Sequence, residues 1–192
     1  ITATLNDEDK TPVTGSVTVT VASNVTGIQV NPTLSIDADT FTADSAKITA
    51  TVSRAGAGDT LYAVSSDPAV AALSASSADA SSGSATLTLI PKKTGRTTVT
   101  LSCGGQTASV AVTVTASANH TIRFGKSQLT VEKGRNITNS VTMATDTDTI
   151  AYSSNKTAVA TVNSSTGSVT GVAAGTATIS AVVTNAKGVE IT

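Results

Sequence analysis

Apolar and polar residues alternate one for one along much of this chain. Val17-Thr18-Val19-Thr20-Val21 is the cleanest run, and Val110-Ala111-Val112-Thr113-Val114 repeats it. Ala85-Thr86-Leu87-Thr88-Leu89 and Ile48-Thr49-Ala50-Thr51-Val52 behave likewise. A period of two puts every second side chain on one face of a pleated ribbon, so each run predicts a half-buried strand. The β-branched residues that crowd these runs fit a pleated surface. No stretch carries a convincing apolar period of 3.6 residues, so almost no helix is expected.

Between about Val25 and Thr115 the pattern predicts strands at Gly27–Val30 with Thr33–Ile36, then Ala46–Val52, Thr60–Ser65, Val70–Leu73, Ser84–Ile90, Arg96–Cys103 and Thr107–Thr115. Between about Asn119 and Thr192 it predicts Thr121–Phe124 with Leu129–Val131, then Ile137–Met143, Thr149–Ser153, Val159–Val162, Ser168–Val172, Thr176–Val183 and Gly188–Thr192. Seven short strands per unit, separated by turn residues, predict antiparallel sandwiches of immunoglobulin type. The fold class expected is therefore all-β, with tandem immunoglobulin-like domains at 25–115 and 119–192. Thr166-Gly167 and Lys187-Gly188 suit tight hairpins, and Gly104-Gly105 separates the last two strands of the first unit. Ala75–Gly83, rich in Ser and Ala, offers nothing to bury and reads as an exposed loop. Tyr62 and Tyr152, on the third strand of each unit, read as core residues.

The two units are repeats. Thr94-Gly95-Arg96-Thr97-Thr98-Val99-Thr100-Leu101 recurs as Ala174-Gly175-Thr176-Ala177-Thr178-Ile179-Ser180-Ala181, the mark of an array of small domains. Ile1–Leu5 falls in step with Val99–Cys103 and Ile179–Val183. Residues 1–22 thus read as the C-terminal hairpin of a preceding, truncated immunoglobulin-like domain, with two strands around Asn6-Asp7-Glu8-Asp9-Lys10. A lone hairpin is marginal in water. Either the chain is a slice of a longer array, the simpler account, or the partner strands belong to another chain. Val189-Glu190-Ile191-Thr192 covers only part of the run that Val17–Val21 fills. One subunit's hairpin could then complete a neighbour's sheet and build head-to-tail filaments, since an open edge is a template for added strands.

Composition narrows the function. The 12 basic and 13 acidic residues leave a net charge of −1 with no basic stripe, which excludes a nucleic-acid footprint. Charged residues make up 13% of the chain, about half the usual share of roughly 25%. Such a hydroxyl-rich surface suits a protein working outside the cytoplasm. No apolar run approaches the roughly 18 residues of a membrane helix, so no membrane insertion is expected in this segment.

Chemistry-bearing residues are sparse. Cys103 shares its strand face with Leu101 and reads as a small buried hydrophobe. His120 is the only histidine and sits after the linker Thr115-Ala116-Ser117-Ala118-Asn119. It has no acidic neighbour in sequence, and a zinc site wants several Cys or His ligands. Asn6-Asp7-Glu8-Asp9 reads as a solvated turn, although clustered carboxylates also suit calcium; Asp37, Asp39 and Asp44, like Asp146 and Asp148, raise the same question. Lys92, Lys93 and Arg96 form a small basic spot at a turn. The aromatics are Phe41, Tyr62, Phe124 and Tyr152, too few exposed platforms for sugar binding. No catalytic, cofactor-binding or metal residue is assigned, no cofactor is expected, and the chain is read as not an enzyme.

The second unit resembles the group 2 bacterial immunoglobulin-like domain (BIG2). Tyr152-Ser153-Ser154-Asn155-Lys156-Thr157-Ala158-Val159-Ala160-Thr161-Val162 is similar to the family's W-S-S-x-x-x-x-V-A-T-V stretch. Gly167-Ser168-Val169-Thr170-Gly171-Val172-Ala173-Ala174-Gly175-Thr176-Ala177-Thr178-Ile179 is similar to its G-x-V-T-G-V-x-A-G-T-A-T-I signature. On this pattern Val169 and Val172 point inward and Gly175 sets a corner. The first unit keeps Ser65-Ser66-Asp67-Pro68-Ala69-Val70-Ala71 and Thr94-Gly95 but carries Ile90-Pro91-Lys92-Lys93 in place of Val-Thr-Gly-Val. Val64 and Tyr152 stand where the family has Trp. The resemblance implies a structural or spacer segment of a bacterial surface protein, as in intimin- or invasin-like adhesins, or of a phage particle. Its partners would be neighbouring immunoglobulin-like domains of the same or an adjacent chain, with a host surface protein or glycan as the adhesive alternative. The implied location is extracellular, on the bacterial cell surface, or else the phage virion. Ala75–Gly83 and Pro91–Lys93 would be the contact points of an adhesin.

Overall fold

The computed structural model describes residues 2–5, 13–18, 22–117, 123–142 and 148–192. Near the N-terminus, β1 (Thr2–Leu5) and β2 (Val13–Ser16) pair antiparallel, Thr2 opposite Ser16 and Leu5 opposite Val13. The next nine strands are β3 (Gly27–Val30), β4 (Thr33–Asp37), β5 (Lys47–Ser53), β6 (Thr60–Ser65), β7 (Ala71–Leu73), β8 (Ser77–Asp79), β9 (Ser84–Pro91), β10 (Gly95–Cys103) and β11 (Gln106–Thr115). They form a four-stranded sheet in the order β3-β5-β9-β7 and a five-stranded sheet in the order β4-β11-β10-β6-β8. No helix lies among the described residues.

Period-two patterning makes the core. Ile48, Ala50 and Val52 of β5 turn inward while Lys47, Thr49 and Thr51 face solvent. Leu87 and Leu89 of β9 meet Val99 and Leu101 of β10 and Val110, Val112 and Val114 of β11 in one buried cluster. Between β3 and β4, Asn31-Pro32 marks the point where the chain leaves one sheet for the other. β4 then runs parallel to β11, Ala111 opposite Thr33 through Thr115 opposite Asp37. All the other strand pairs are antiparallel.

Two expectations about this sandwich fail. Ala75–Gly83 is not simply a loop: Ser77–Asp79 pairs with β6, and Ala80 is fully buried with its N–H bonded to the Asp59 carbonyl at 3.0 Å. Small side chains hid a strand that contributes backbone pairing more than apolar bulk. Tyr62 is not core either. It is 56% exposed, and Val64 67%, while Leu61 and Ala63 between and beside them are buried. The alignment of Val64 with Tyr152 was one residue out, and a one-residue slip reverses the face. Ala63 pairs with Leu101, and Tyr152 pairs with Ala181, the repeat equivalent of Leu101. The inward partner of Tyr152 in the first repeat is therefore Ala63.

The second sandwich is built from β12 (Arg123–Phe124), β13 (Asn136–Thr138), β14 (Val141–Thr142), β15 (Thr149–Ser154), β16 (Ala160–Val162), β17 (Ser168–Gly171), β18 (Ile179–Thr184) and β19 (Glu190–Ile191). The expected strand Ile137–Met143 divides in two, β13 pairing with β17 and β14 with β12. Asn139 sits at the break, its side chain bonded to both N–H and C=O of Lys126. Leu129–Val131 is not a strand, and β18 begins at Ile179 rather than Thr176. The cause is visible in the first sandwich, where β11 pairs with both β10 and β4. Among the described residues no strand of that length lies beside β18, so the flanking segments have no ladder to join. Val169 is buried as expected, but Val172 lies past the end of β17 and is 39% exposed. Gly175 (φ 150°) does set a corner: a Cβ there would lie 2.9 Å from Val159 Cγ2. Gly95 (φ 149°) meets Val70 in the same way.

The register makes a contrast on one sheet. Leu101→Ala, at a fully buried position, should cost about 2–5 kcal/mol, whereas Val64→Ala, outward on neighbouring β6, should stay within about 0.5 kcal/mol. Urea unfolding of the two variants measures both.

Candidate functional site: the joint between sandwiches

The connection from β18 to β19 reaches across to the first sandwich, and Asn185 is its centre. Asn185 is 6% exposed. Its Nδ2 donates to the Ala38 carbonyl and to Asp39 Oδ1, both at 2.8 Å. Its Oδ1 accepts the N–H of Lys187 at 3.0 Å and of Val189 at 2.9 Å. Both donors and the acceptor of the amide are thus used, as burial of a polar group requires. Gly188 (φ 78°) closes the turn, its N–H bonded to the Asn185 carbonyl at 2.9 Å. Lys187 Nζ donates to the Phe41 carbonyl at 2.7 Å and sits 4.9 Å from the Phe41 ring centroid, a cation–π geometry.

β19 carries the contact further. Val189 and Ile191 are buried in the first sandwich's core cluster. Between them, Glu190 bridges in parallel to Lys93. Its N–H donates to the Lys92 carbonyl and its carbonyl accepts the Thr94 N–H, both at 2.8 Å. Thr192 N–H donates to Thr94 Oγ1 at 2.9 Å. The Ile90-Pro91-Lys92-Lys93 stretch that sets the first repeat apart leads into this docking edge, and the basic spot contributes backbone rather than charge.

The linker is held from the same side. Ser117 N–H donates to Asp39 Oδ2 at 2.8 Å, and Ser117 Oγ lies 3.2 Å from both oxygens of Asp37. One carboxylate, Asp39, therefore ties the linker with one oxygen and the far loop with the other. Asp37 also caps its own turn, accepting the Asp39 N–H at 2.8 Å.

The other singled-out residues fall elsewhere. Cys103 is buried beside Leu101. Burial raises its thiol above the ordinary value, the Asp59 charge adds to this, and a hydrogen bond from the Thr60 backbone opposes it. Asp44 pairs with Lys47 on the surface. His120, Asn6–Asp9 and Asp146 lie outside the described residues. Among the described residues no group of three or more His, Cys, Asp or Glu could hold a metal ion, and no helix is long and apolar enough to cross a membrane. The sequence pattern gives no sign of Asn185, and it marks Phe41, Ser117 and Thr94 only as an aromatic, a linker residue and a repeat position. The one available signal was the loop length: five residues separate Thr184 from its partner Glu190, against two between Cys103 and Gln106.

A second feature lies in the second sandwich. Leu129, Val131, Ile137, Tyr152, Val169 and Ile179 line an open groove of about 890 Å³.

Residues 118–192 match the family model of the bacterial Ig-like domain (group 2), so the family expected from the motifs is found for the second repeat. No curated protein matches the chain. Among solved structures, a C-terminal 282-residue fragment of intimin in complex with the intimin-binding domain of the translocated intimin receptor is 17% identical, over 88% of this chain and 62% of that one, with a TM-score of 0.36. Domains 4 and 5 of the S-layer protein SbsC are 20% identical, over 59% of this chain and 64% of that one, TM-score 0.38. The D0-D1 domain of intimin is 22% identical, over 87% and 94%, TM-score 0.38. The chain thus spans less than two thirds of the intimin receptor-complex fragment and of the SbsC pair.

Asn185→Ala should weaken docking by about 1–3 kcal/mol, because Asp39 Oδ1 and the Ala38 carbonyl lose the amide donors that reach them. Spin labels on exposed Thr100 and Thr161 would then report a broadened distance distribution. Asn185→Asp removes the same donors and sets a carboxylate against Asp39, so it should open the joint further at neutral pH. For Cys103 the sign runs the other way from an acid stabilised by a partner. The folded state holds the thiol proton more tightly, so the contribution is full below the ordinary thiol pKa and is lost as pH rises through the folded value. Cys103→Ala should flatten the alkaline fall in stability measured by urea unfolding.

Proposed function

We propose that this chain is a non-catalytic spacer of tandem immunoglobulin-like domains in a bacterial surface protein, and that its work is to hold neighbours at a set angle. The observation that carries this is the joint: a buried, fully bonded Asn185, a linker pinned at Ser117, and β19 docked on Lys92–Thr94. In this reading the units are 25–115 and 119–192, and residues 1–22 are the closing hairpin of a preceding domain. The joint occupies Lys92 and Lys93, so an adhesive contact with a host protein or glycan would fall on the outer sheet faces instead. No reaction is assigned, since the one thiol is buried.

A second reading rests on the groove. A strand from another copy, laid between Leu129–Val131 and β18, would close the sandwich as β11 closes the first and would join copies head to tail.

Three measurements decide. Single-particle images of the chain should give a narrow distribution of the angle between sandwiches, widened in Asn185→Ala; independently tumbling sandwiches in the unaltered chain would refute the spacer reading. Light scattering across a concentration series should show a constant mass. Growth with concentration, abolished by deleting residues 1–22, would establish the second reading. Immunolabelling of intact bacteria carrying the gene tests surface display, and label on virions instead would move the spacer to a phage particle.

A further inference from the structure

Tyr62 stands outward on β6 together with Val64, and these are the most exposed large apolar side chains of the first sandwich. Cross-strand pairing sets their neighbours, since directly opposite residues share a face. Ser77 on β8 and Ser102 on β10 flank Tyr62, and Thr107 on β11 continues the row. A second row runs beside it, from Val64 through Thr100 to Ser109. With strands about 4.8 Å apart, the first row spans roughly 14 Å across four strands.

The hydroxyls of Ser77, Thr100, Ser102, Thr107 and Ser109 have no hydrogen-bond partner among the described residues. The opposite sheet face differs. There Thr49 and Thr86 bond each other at 3.1 Å, and Lys47 pairs with Asp44. Within the two rows no side chain is charged, and Asp79 on β8 and Arg96 on β10 lie outside them.

An exposed aromatic ring among free, uncharged hydroxyls matches one kind of partner. A sugar ring has an apolar C–H face and an edge of hydroxyls. The face can stack on Tyr62 and Val64 while the hydroxyls meet those of the flanking Ser and Thr. A charged polymer finds no counter-charge in these rows. A protein partner suits them poorly, because protein interfaces are depleted in Ser and have a larger apolar centre than two side chains supply. The platform is a sheet surface and not the concave cleft that buries a small molecule. Only a ligand lying along the row gathers enough contact.

We propose that this face of the first sandwich is a binding platform for an extended, uncharged polysaccharide, with Tyr62 as its stacking residue. It adds a function to the spacer and does not rest on that reading.

The test is isothermal titration of the full chain with a linear β-glucan, a galactomannan and polygalacturonate. At least one of the two neutral glycans should bind, and the anionic one should not. Tyr62→Ala should weaken that binding at least about tenfold. Tyr62→Phe keeps the ring and should stay within about threefold of the unaltered chain. Thr49→Ala, on the opposite face, should change nothing. All three side chains point to solvent, so circular dichroism should show the same fold throughout. Failure of both neutral glycans to bind overturns the platform. So does binding that Tyr62→Ala leaves intact, or polygalacturonate binding as tightly. Tyr62-dependent attachment to eukaryotic cells that survives enzymatic removal of their surface glycans would make the partner a protein and overturn it as well. A broad angle distribution in the images refutes the spacer and leaves this titration standing, so the two failures are distinguishable.

Discussion

Everything in the first sandwich depends on β11 pairing on both sides. It lies antiparallel to β10 from Gln106 to Val114 and parallel to β4 over its second half. That double pairing puts Val110, Val112 and Val114 between the two sheets and closes the core over them. The second sandwich shows what the same pattern does without it. Leu129–Val131 and Thr176–Thr178 carry sequence suited to strands, yet neither is in a ladder. Its apolar side chains, including Ile137, Tyr152 and Ile179, are left half-buried around a groove. A strand is defined by its neighbour as much as by its own alternation.

The joint uses a different kind of interaction. Where β11 contributes apolar bulk and a long ladder, Asn185 contributes direction. Each of its polar atoms has a partner, and those partners come from its own hairpin on one side and from Ala38 and Asp39 on the other. Burying an amide costs free energy unless every bond is made, so one orientation of the two sandwiches is favoured over near neighbours. Val189 and Ile191 add apolar burial to the same contact. The specialised edge of the first repeat and the long hairpin of the second are two halves of one device.

Much of the fold was legible in the sequence because alternation reports burial directly. β5, β9, β10 and β11 fall where Ile48–Val52, Ala85–Leu89, Val99–Leu101 and Val110–Val114 place them. Errors came where alternation is faint or its phase ambiguous. Ser77–Asp79 has side chains too small to show a face, and Tyr62 was placed on the wrong face because a Ser-Ser pair aligned one position early. The joint was illegible for another reason. Asn185, Asp39 and Ser117 are ordinary turn and linker residues in sequence, and only the topology brings Asn185 and Ser117 each within 3 Å of Asp39. Asp37 and Asp39 drew notice as possible cation ligands; their acceptor oxygens instead receive N–H and O–H groups of the linker and the far hairpin.

The joint's contacts are mostly hydrogen bonds between an amide, the hydroxyls of Ser117 and Thr94, backbone groups and the two carboxylates Asp37 and Asp39, with one ammonium resting on a ring and a carbonyl. Lys47–Asp44, a salt bridge on the surface of the first sandwich, lies away from it. Dissolved ions weaken attraction between separated, exposed charges far more than they weaken short bonds inside a buried contact. The buried bonds of Asn185 and the apolar burial of Val189 and Ile191 are therefore forces that ionic strength barely touches. A stalk built this way would keep its reach in fresh water, in brine and in host fluids alike.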